Sequence, residues 1–302
     1  MSKVKIGTHV NGISSTNGYF LGPKGKETSS FSEELYTAFY VDGNAGSNSN
    51  DGKSWATAVK TIAAGIALAD DDIAKKNHWD RRNRLYVNGG SYTESLTRFP
   101  EKTDIIGCGY TDFLSKAKII GVQAPSTAVM GCRWINMAFQ NVTAAATVTL
   151  AASNHGAAFI NCDILGNGTT TKGIISTNNV DFTVENCRFY GTGDANLKQL
   201  VGIEVAGTTT NSNIRIVGNW INSAVGITIV NSAVCSGLIA DNYLDVTTLA
   251  IDENSDKLLV VNNRWISAAT IANSFDFEVT KAVGNIATGS NGTATVPFAT
   301  IA

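Results

Sequence analysis

The stretch GNWINSAVGITIVNSAVCSGLIADNYLDVTTLAID (218–252) holds the pattern that decides the fold. Within it GNWI (218–221) and DNYL (241–244) are alike, and so are GITI (226–229) and LAID (249–252). Working outward, the first motif recurs as INCDI (160–164), ENCRF (185–189), NNRW (262–265) and GNIA (284–287), with a weaker earlier copy at FQNVT (139–143). The second recurs as GIIS (173–176) and GIEV (202–205). Cys162, Cys187, Asn219, Asn242, Asn263 and Asn285 are taken as equivalent positions, with an insertion around GTGDANLKQL (191–200) lengthening one step.

Short apolar alternations rich in Val and Ile read as strands. A strand pair every 20 to 25 residues or so cannot bury its own apolar face, so the copies must stack. Asn suits the corners because it tolerates left-handed backbone and bonds neighbouring backbone groups. Stacked coils then line up these Asn side chains as a ladder, with Cys162 and Cys187 as a buried pair. The expected fold is all-β, a parallel β-solenoid.

Upstream, SWATAVKTIAAGIALA (54–69) changes to a period of three and four, with Val59, Ile62 and Ile66 on one face and Ser54 or Thr57 as N-cap. This predicts an amphipathic helix over 54–69 that covers the first coil. RLYVNGGSYTESL (84–96) and DIIGCGY (104–110) then begin the coils.

FYVDGNAGSNSNDGKSWATAVKTIAAGIALA (39–69), LYVNGGSYTE (85–94) and the repeating corners resemble the pectate-lyase-like superfamily of right-handed parallel β-helix proteins, nearest in character to bacteriophage tailspike, tail-fibre or capsid-decoration proteins. The resemblance implies a right-handed single-stranded β-helix over 39–288, an N-terminal extension at 1–38 for attachment or oligomerisation, and a tail at 289–302. It also implies a homotrimer. It does not choose an activity, because one fold hosts lyases, hydrolases, esterases and non-enzymatic virion proteins.

No active-site run of those enzymes is present. Where a pectin methylesterase-like run would carry an acid, the chain reads Gly166, Asn167, Gly168, Thr169. The paired Asp-Asp and Gly-His-Gly of polygalacturonases and the Trp-Ile-Asp-His run of pectate lyases are absent. Glu204 and Asp252, outward on equivalent strands two coils apart, are the carboxylates to consider for hydrolysis or elimination on the outer face; their backbones stand ~10 Å apart, near the range for inverting glycosidases. Asp163, Glu185, Asp241 and Asp245 read as corner or surface residues. Trp220, Tyr243 and Trp265 at successive corners are the candidates to stack on sugars. DGNAGSNSNDG (42–52) offers Asp42, Asn44 and Asp51 as oxygen ligands for Ca²⁺, without the spacing of an EF-hand. DDDIAKKNHWDRRNR (70–84) reads as a solvated, self-paired loop.

Composition narrows the partners. Lys+Arg 23 against Asp+Glu 25 gives a net charge of −2, with no basic surplus for nucleic acid. Hydrophobic content of 43% supports a core. No apolar run is long enough for membrane insertion. The start MSKVKIGTHVNGISS carries no apolar segment after its lysines, so Sec-type export is not expected. The five cysteines match no metal or disulfide framework and read as buried free thiols. The expected function is a non-catalytic virion-type structural protein, meeting other virion proteins or a surface polysaccharide. The alternatives are a polysaccharide lyase or hydrolase, and a glycan-binding adhesin, extracellular by a non-Sec route.

Overall fold

The computed structural model describes residues 36–76, 81–109, 116–126, 130–151, 154–168, 172–191, 198–207, 211–230, 235–252, 257–267 and 281–287, with three short strands at Ser14–Thr16, Tyr19–Leu21 and Glu27–Thr28. Those three strands pair antiparallel and are all that is described of the expected extension before Tyr36; the tail at 289–302 lies outside the described residues.

From Ala38 onward every strand pairing is parallel, and partners lie one coil apart in sequence. The chain is a right-handed parallel β-helix. Its first face is a 10-stranded sheet running from Ala38–Val41 through Arg133–Ile135 to Lys281–Val283. The second face holds the strands that follow the Asn corners, from Gly90–Thr93 to Ile286–Ala287. The third holds the recurring GIIS-type strands. Second and third faces join as one sheet because Trp220–Ile229 and Tyr243–Asp252 run continuously around the bend between them.

Alternation along each strand sends one set of side chains inward. On the second face Ile119, Phe139, Ile164, Phe189, Ile221, Leu244 and Trp265 fall in register and are all buried. On the third, Ile174, Ile203, Ile227 and Ile251 do the same. Near the start of the coil Trp134 packs edge-on against Phe99 and Phe139 at 4.9 and 5.2 Å.

The corners divide two tasks that the sequence pattern merged. The left-handed residue is the one before each ladder position: Asn161, Asn186, Gly218, Asp241 and Asn262 have φ between 53° and 70°. At Gly218 a Cβ would also meet Asn186 Oδ1 at 2.4 Å, so glycine answers both the angle and the close approach. The next residue turns inward and builds the ladder. Asn219, Asn242 and Asn263 receive the backbone N–H of the position below on Oδ1 and donate Nδ2 to a carbonyl of the first face. Cys187 accepts the Cys162 N–H on Sγ at 3.4 Å, in the same manner. The earlier copy is at Ile135–Asn136–Met137; Asn141 belongs to the following turn, where it bonds Ala145 O and Thr143 N. A second ladder runs where the third face returns to the first: Asn154 N–H donates to Asn179 Oδ1, and Asn179 N–H to Asn211 Oδ1.

Helix α1 spans Ile62–Lys76, shifted from the expected 54–69. Ser54 caps a 3₁₀ turn at Trp55–Thr57, and Val59 then bridges to Val41 as a strand would. The helix begins only where Thr61 accepts the Ala64 N–H and the Glu94 carboxylate takes the N–H groups of Ile62 and Ala63. The acids at 70–72 sit inside α1 rather than in a solvated loop. Asp72 and Arg81 form a buried ion pair at 3.4 Å, and Asn83 donates to Asp72 at 3.1 Å. Among the described residues no helix is long and apolar enough to cross a membrane.

Candidate functional site: an aromatic and charged strip on the second face

The residue after each ladder position points outward. Asp163, Arg188, Trp220, Tyr243 and Arg264 therefore form a row in register up the second face. Two residues further along each strand, Leu165, Tyr190, Asn222, Asp245 and Ile266 lie beside it. The strip is a direct product of the repeat: a fixed register lifts one position of each coil into one line.

Its lower end is a charge cluster. Arg188 grips Asp163 with two parallel hydrogen bonds, Nε to Oδ1 and Nη2 to Oδ2, both 2.8 Å. Lys116 Nζ lies 3.4 Å from the same carboxylate and donates to Asn161 O at 2.8 Å. Asp163 is fully buried and Lys116 nearly so, whereas Arg188 keeps 41% of its side chain exposed. Two cations against one carboxylate leave the cluster with a surplus positive charge. Above it, the Tyr190 and Trp220 rings stand 5.8 Å apart at 30°, and Arg188 lies 5.8 Å from the Tyr190 ring centre. Burial, followed by the Asp163 charge, pushes the Tyr190 phenol up to about 12, so it stays a neutral hydroxyl across the physiological range. Trp220 is 36% exposed. Asn222 donates to Asp245 at 3.0 Å and orients that carboxylate.

The structure sorts the sugar-stacking candidates. Trp220 and Tyr243 are direct neighbours in the outer row. Trp265 pairs with Leu244 instead, in the inward row, and is 1% exposed; it is a core residue, because it stands one position further from its corner than Trp220 does. Arg264 takes its place in the strip.

Glu204 and Asp252 share a row through Thr228, two coils apart as expected. Lys172, on the coil below, binds the Glu204 carboxylate at 2.6 and 2.7 Å. Asp163 is the opposite of a solvated corner residue, because its repeat partner 25 residues on is an arginine. The signal was available: INCDI and ENCRF place Asp and Arg at one repeat position.

The loop at 42–52 spends its oxygens on itself. Asp42 accepts the N–H groups of Asn44 and Ala45 at 2.9 and 3.1 Å and the Asn88 amide at 3.0 Å. Asp51 accepts Lys53 N–H at 3.1 Å. The Ala45 N–H, chief among these donors, holds the Asp42 carboxyl below its ordinary value; Thr57 and Lys53 do so for Asp51. The carboxylates of Asp42 and Asp51 thus accept local N–H groups, that of Asn44 among them. Among the described residues no three His, Cys, Asp or Glu side chains are grouped to hold a metal ion.

A second carboxylate on the first face is likewise clamped. Asp104 is bound by Arg133 at 2.6 and 2.7 Å and by Arg82 at 2.8 Å. Burial pushes its carboxyl up, but the hydrogen bonds from Arg133 and Arg82 together outweigh that and leave it below the ordinary 3.8.

No family model and no curated protein matches the chain. Among solved structures it is similar to a pectin methylesterase variant in complex with a hexasaccharide, at 14% identity over 86% of this chain and 91% of that one, with a TM-score of 0.44. It is similar to pectate lyase Pel9A at 14% identity over 85% and 78%, TM-score 0.36. It is also similar to ORF18 of Geobacillus virus E2 at 9% identity over 92% and 66%, TM-score 0.33. The chain's own strand pairing makes it a parallel β-helix. At these identities the likeness is one of fold and transfers no active site.

Proposed function

We propose that the chain is a structural β-helix of a virion-type particle, such as a fibre, tailspike or decoration component, that holds a surface polysaccharide along the strip of Tyr190, Trp220 and Tyr243 without cleaving it. One observation carries the reading: Trp220, 36% exposed, and the half-buried Tyr243 stand in register, with half-buried Tyr190 beside them, next to a carboxylate that is already locked. Aromatic faces pack against the apolar faces of sugar rings, while Arg188, Asn222 and Asp245 offer hydrogen bonds at the rim. Asp163, fully buried and gripped by Arg188 and Lys116, is shut off from a nucleophilic or base role toward a polymer on the strip, and hydrolysis of a glycoside ordinarily needs two carboxylates. A rod stiffened by an Asn ladder on successive coils also suits a part that presents a binding strip at a distance from a particle. Assembly as a homotrimer belongs to the same proposal.

The test is binding of the full chain to a panel of bacterial surface polysaccharides, scored together with polymer length. The expected result is retention of at least one polymer at unchanged length, with Trp220→Ala weakening it about tenfold, the worth of one stacking contact. Shortened polymer, or binding indifferent to Trp220 and Tyr243, would overturn the assignment. Light scattering should give a mass near three times 31.8 kDa; a monomer would sink the trimer.

A further inference from the structure

The outward positions of the first face also form a row, and its chemistry differs from that of the strip. In register it runs from Tyr40 through Ile106, Ile135 and Ile160 to Val217 and Val261, one residue per coil. These six side chains are all partly exposed. At the foot of the row Tyr40 stacks on Tyr86 at 5.5 Å, and Trp55, 44% exposed, meets Tyr40 edge-on at 4.9 Å. At its top Leu238 and Leu259, the latter 41% exposed, stand beside it and widen the apolar surface.

Strands facing water ordinarily alternate apolar-in with polar-out, whereas a parallel sheet covered on both sides is apolar on both. The first face is of the second kind. Among the described residues of the row Glu185 alone is charged, and Arg215 on the coil above answers it at 3.3 Å. Beside the row Arg133 is likewise committed to Asp104 at 2.6 Å. An occupant of this face therefore meets apolar side chains and charges already paired, which suits neither a polyanion nor a hydrophilic polymer.

The geometry of the row selects the occupant. Stacked strands repeat every ~4.8 Å, so the row is a continuous ridge about 40 Å long. Strands of five residues, as at Asn83–Val87 and Lys257–Val261, give it a width of about 15 Å. The resulting face of about 600 Å² matches the ~600–1,000 Å² that each partner gives to a specific interface. A globular partner would touch only a few coils of such a ridge. A second copy carries the same ridge with the same repeat, so along a shared axis each residue meets its own counterpart at every coil.

We infer that copies of this chain pack side by side and parallel through the first face, Ile135 against Ile135 and Ile160 against Ile160. The inference rests on the homotrimer proposed above and assigns the face that builds it. The aromatic strip lies on another face of the coil.

The test is cross-linking of the full chain at one position of the row. Cys108→Ser removes the exposed thiol. On that background Ile135→Cys adds a thiol to the row, and Thr228→Cys adds one at a partly exposed outward position of the third face as a control. Each is treated with bismaleimidoethane and read on a denaturing gel, beside light scattering of the parent and of Ile160→Lys. The expected result is chain-to-chain linkage at Ile135→Cys and none at Thr228→Cys. The parent should have a mass near three times 31.8 kDa, and a folded Ile160→Lys a mass near 31.8 kDa. Circular dichroism checks that fold; should the lysine prevent folding, the cross-link alone decides. An oligomer without the Ile135→Cys linkage, equal linkage at Thr228→Cys, or a folded Ile160→Lys that keeps the parent mass would each overturn the face while leaving the trimer standing. A monomeric parent would overturn both. Polysaccharide binding at the strip is decided separately, by polymer retention.

Discussion

The side-chain amide of Asn219 donates to Oδ1 of Asn242 at 2.9 Å, and the same oxygen receives the Asn219 backbone N–H at 3.0 Å. One buried acceptor thus satisfies two donors of the coil below, while Asn242 passes its own Nδ2 to Ile216 O and Asn263 Oδ1. Each rung makes the next one necessary.

Removing a rung should therefore cost more than removing a methylene. Asn242→Ala removes the acceptor that two donors of Asn219 share inside the core. A loss of roughly 2–4 kcal/mol is expected from such buried orphans. Urea unfolding monitored by circular dichroism checks it; a midpoint within error of the parent would show that the ladder contributes nothing net.

Cys187 occupies a rung without an amide. Its Sγ accepts from Cys162 N and lies 3.3 Å from Phe159 O, the carbonyl in register with the Val184 O that Asn219 uses. Cys187→Asn should extend the ladder downward and leave stability equal or higher. A clear fall in melting temperature would mean that the extra volume at this fully buried site outweighs the gained hydrogen bonds.

At the foot of the strip, Asp163→Ala strands Lys116 in a buried position. Breaking such a cluster from one side costs about 3–5 kcal/mol. Trp220→Ala, by contrast, should change stability by under about 1 kcal/mol, because the ring is partly exposed. Parallel thermal melts of the two variants test the separation of scaffold from binding surface; equal losses would contradict it.

Asp104 links stability to pH. Its folded value lies below the ordinary 3.8, so its pairing with Arg133 and Arg82 stabilises the chain above 3.8 and that contribution is lost as pH falls through the folded value. Asp104→Asn should be less stable than the parent at neutral pH, with the difference shrinking as the pH drops below 3.8. A difference that stays constant from pH about 7 to about 3 would contradict an ionised, paired carboxylate.

Four of the five cysteines are buried and Cys108 alone is exposed. A thiol reagent should therefore titrate one group quickly in the native chain and all five after unfolding. Burial raises the Cys108 thiol above its ordinary value, so even this one should react faster as pH rises.

The recurrence of GNWI, DNYL and NNRW is enough to determine coil, register and ladder, because in-register stacking acts on one repeat position at a time and the sequence prints that position every turn. It identified Asn219, Asn242 and Asn263 as rungs and placed Trp220 and Tyr243 side by side. Other features depend on contacts that no local pattern encodes. The start of α1 waits for Glu94, which lies more than thirty residues away in sequence. Trp265 follows an Asn corner as Trp220 does, yet a shift of one residue from the corner turns it into the core. Glu204 is turned by Lys172, and Asp163 is buried by Lys116 and Arg188, through side chains supplied by neighbouring coils. Alternation and repeat are properties of the chain itself; the direction of a charged side chain is decided by the partner that the fold brings beside it.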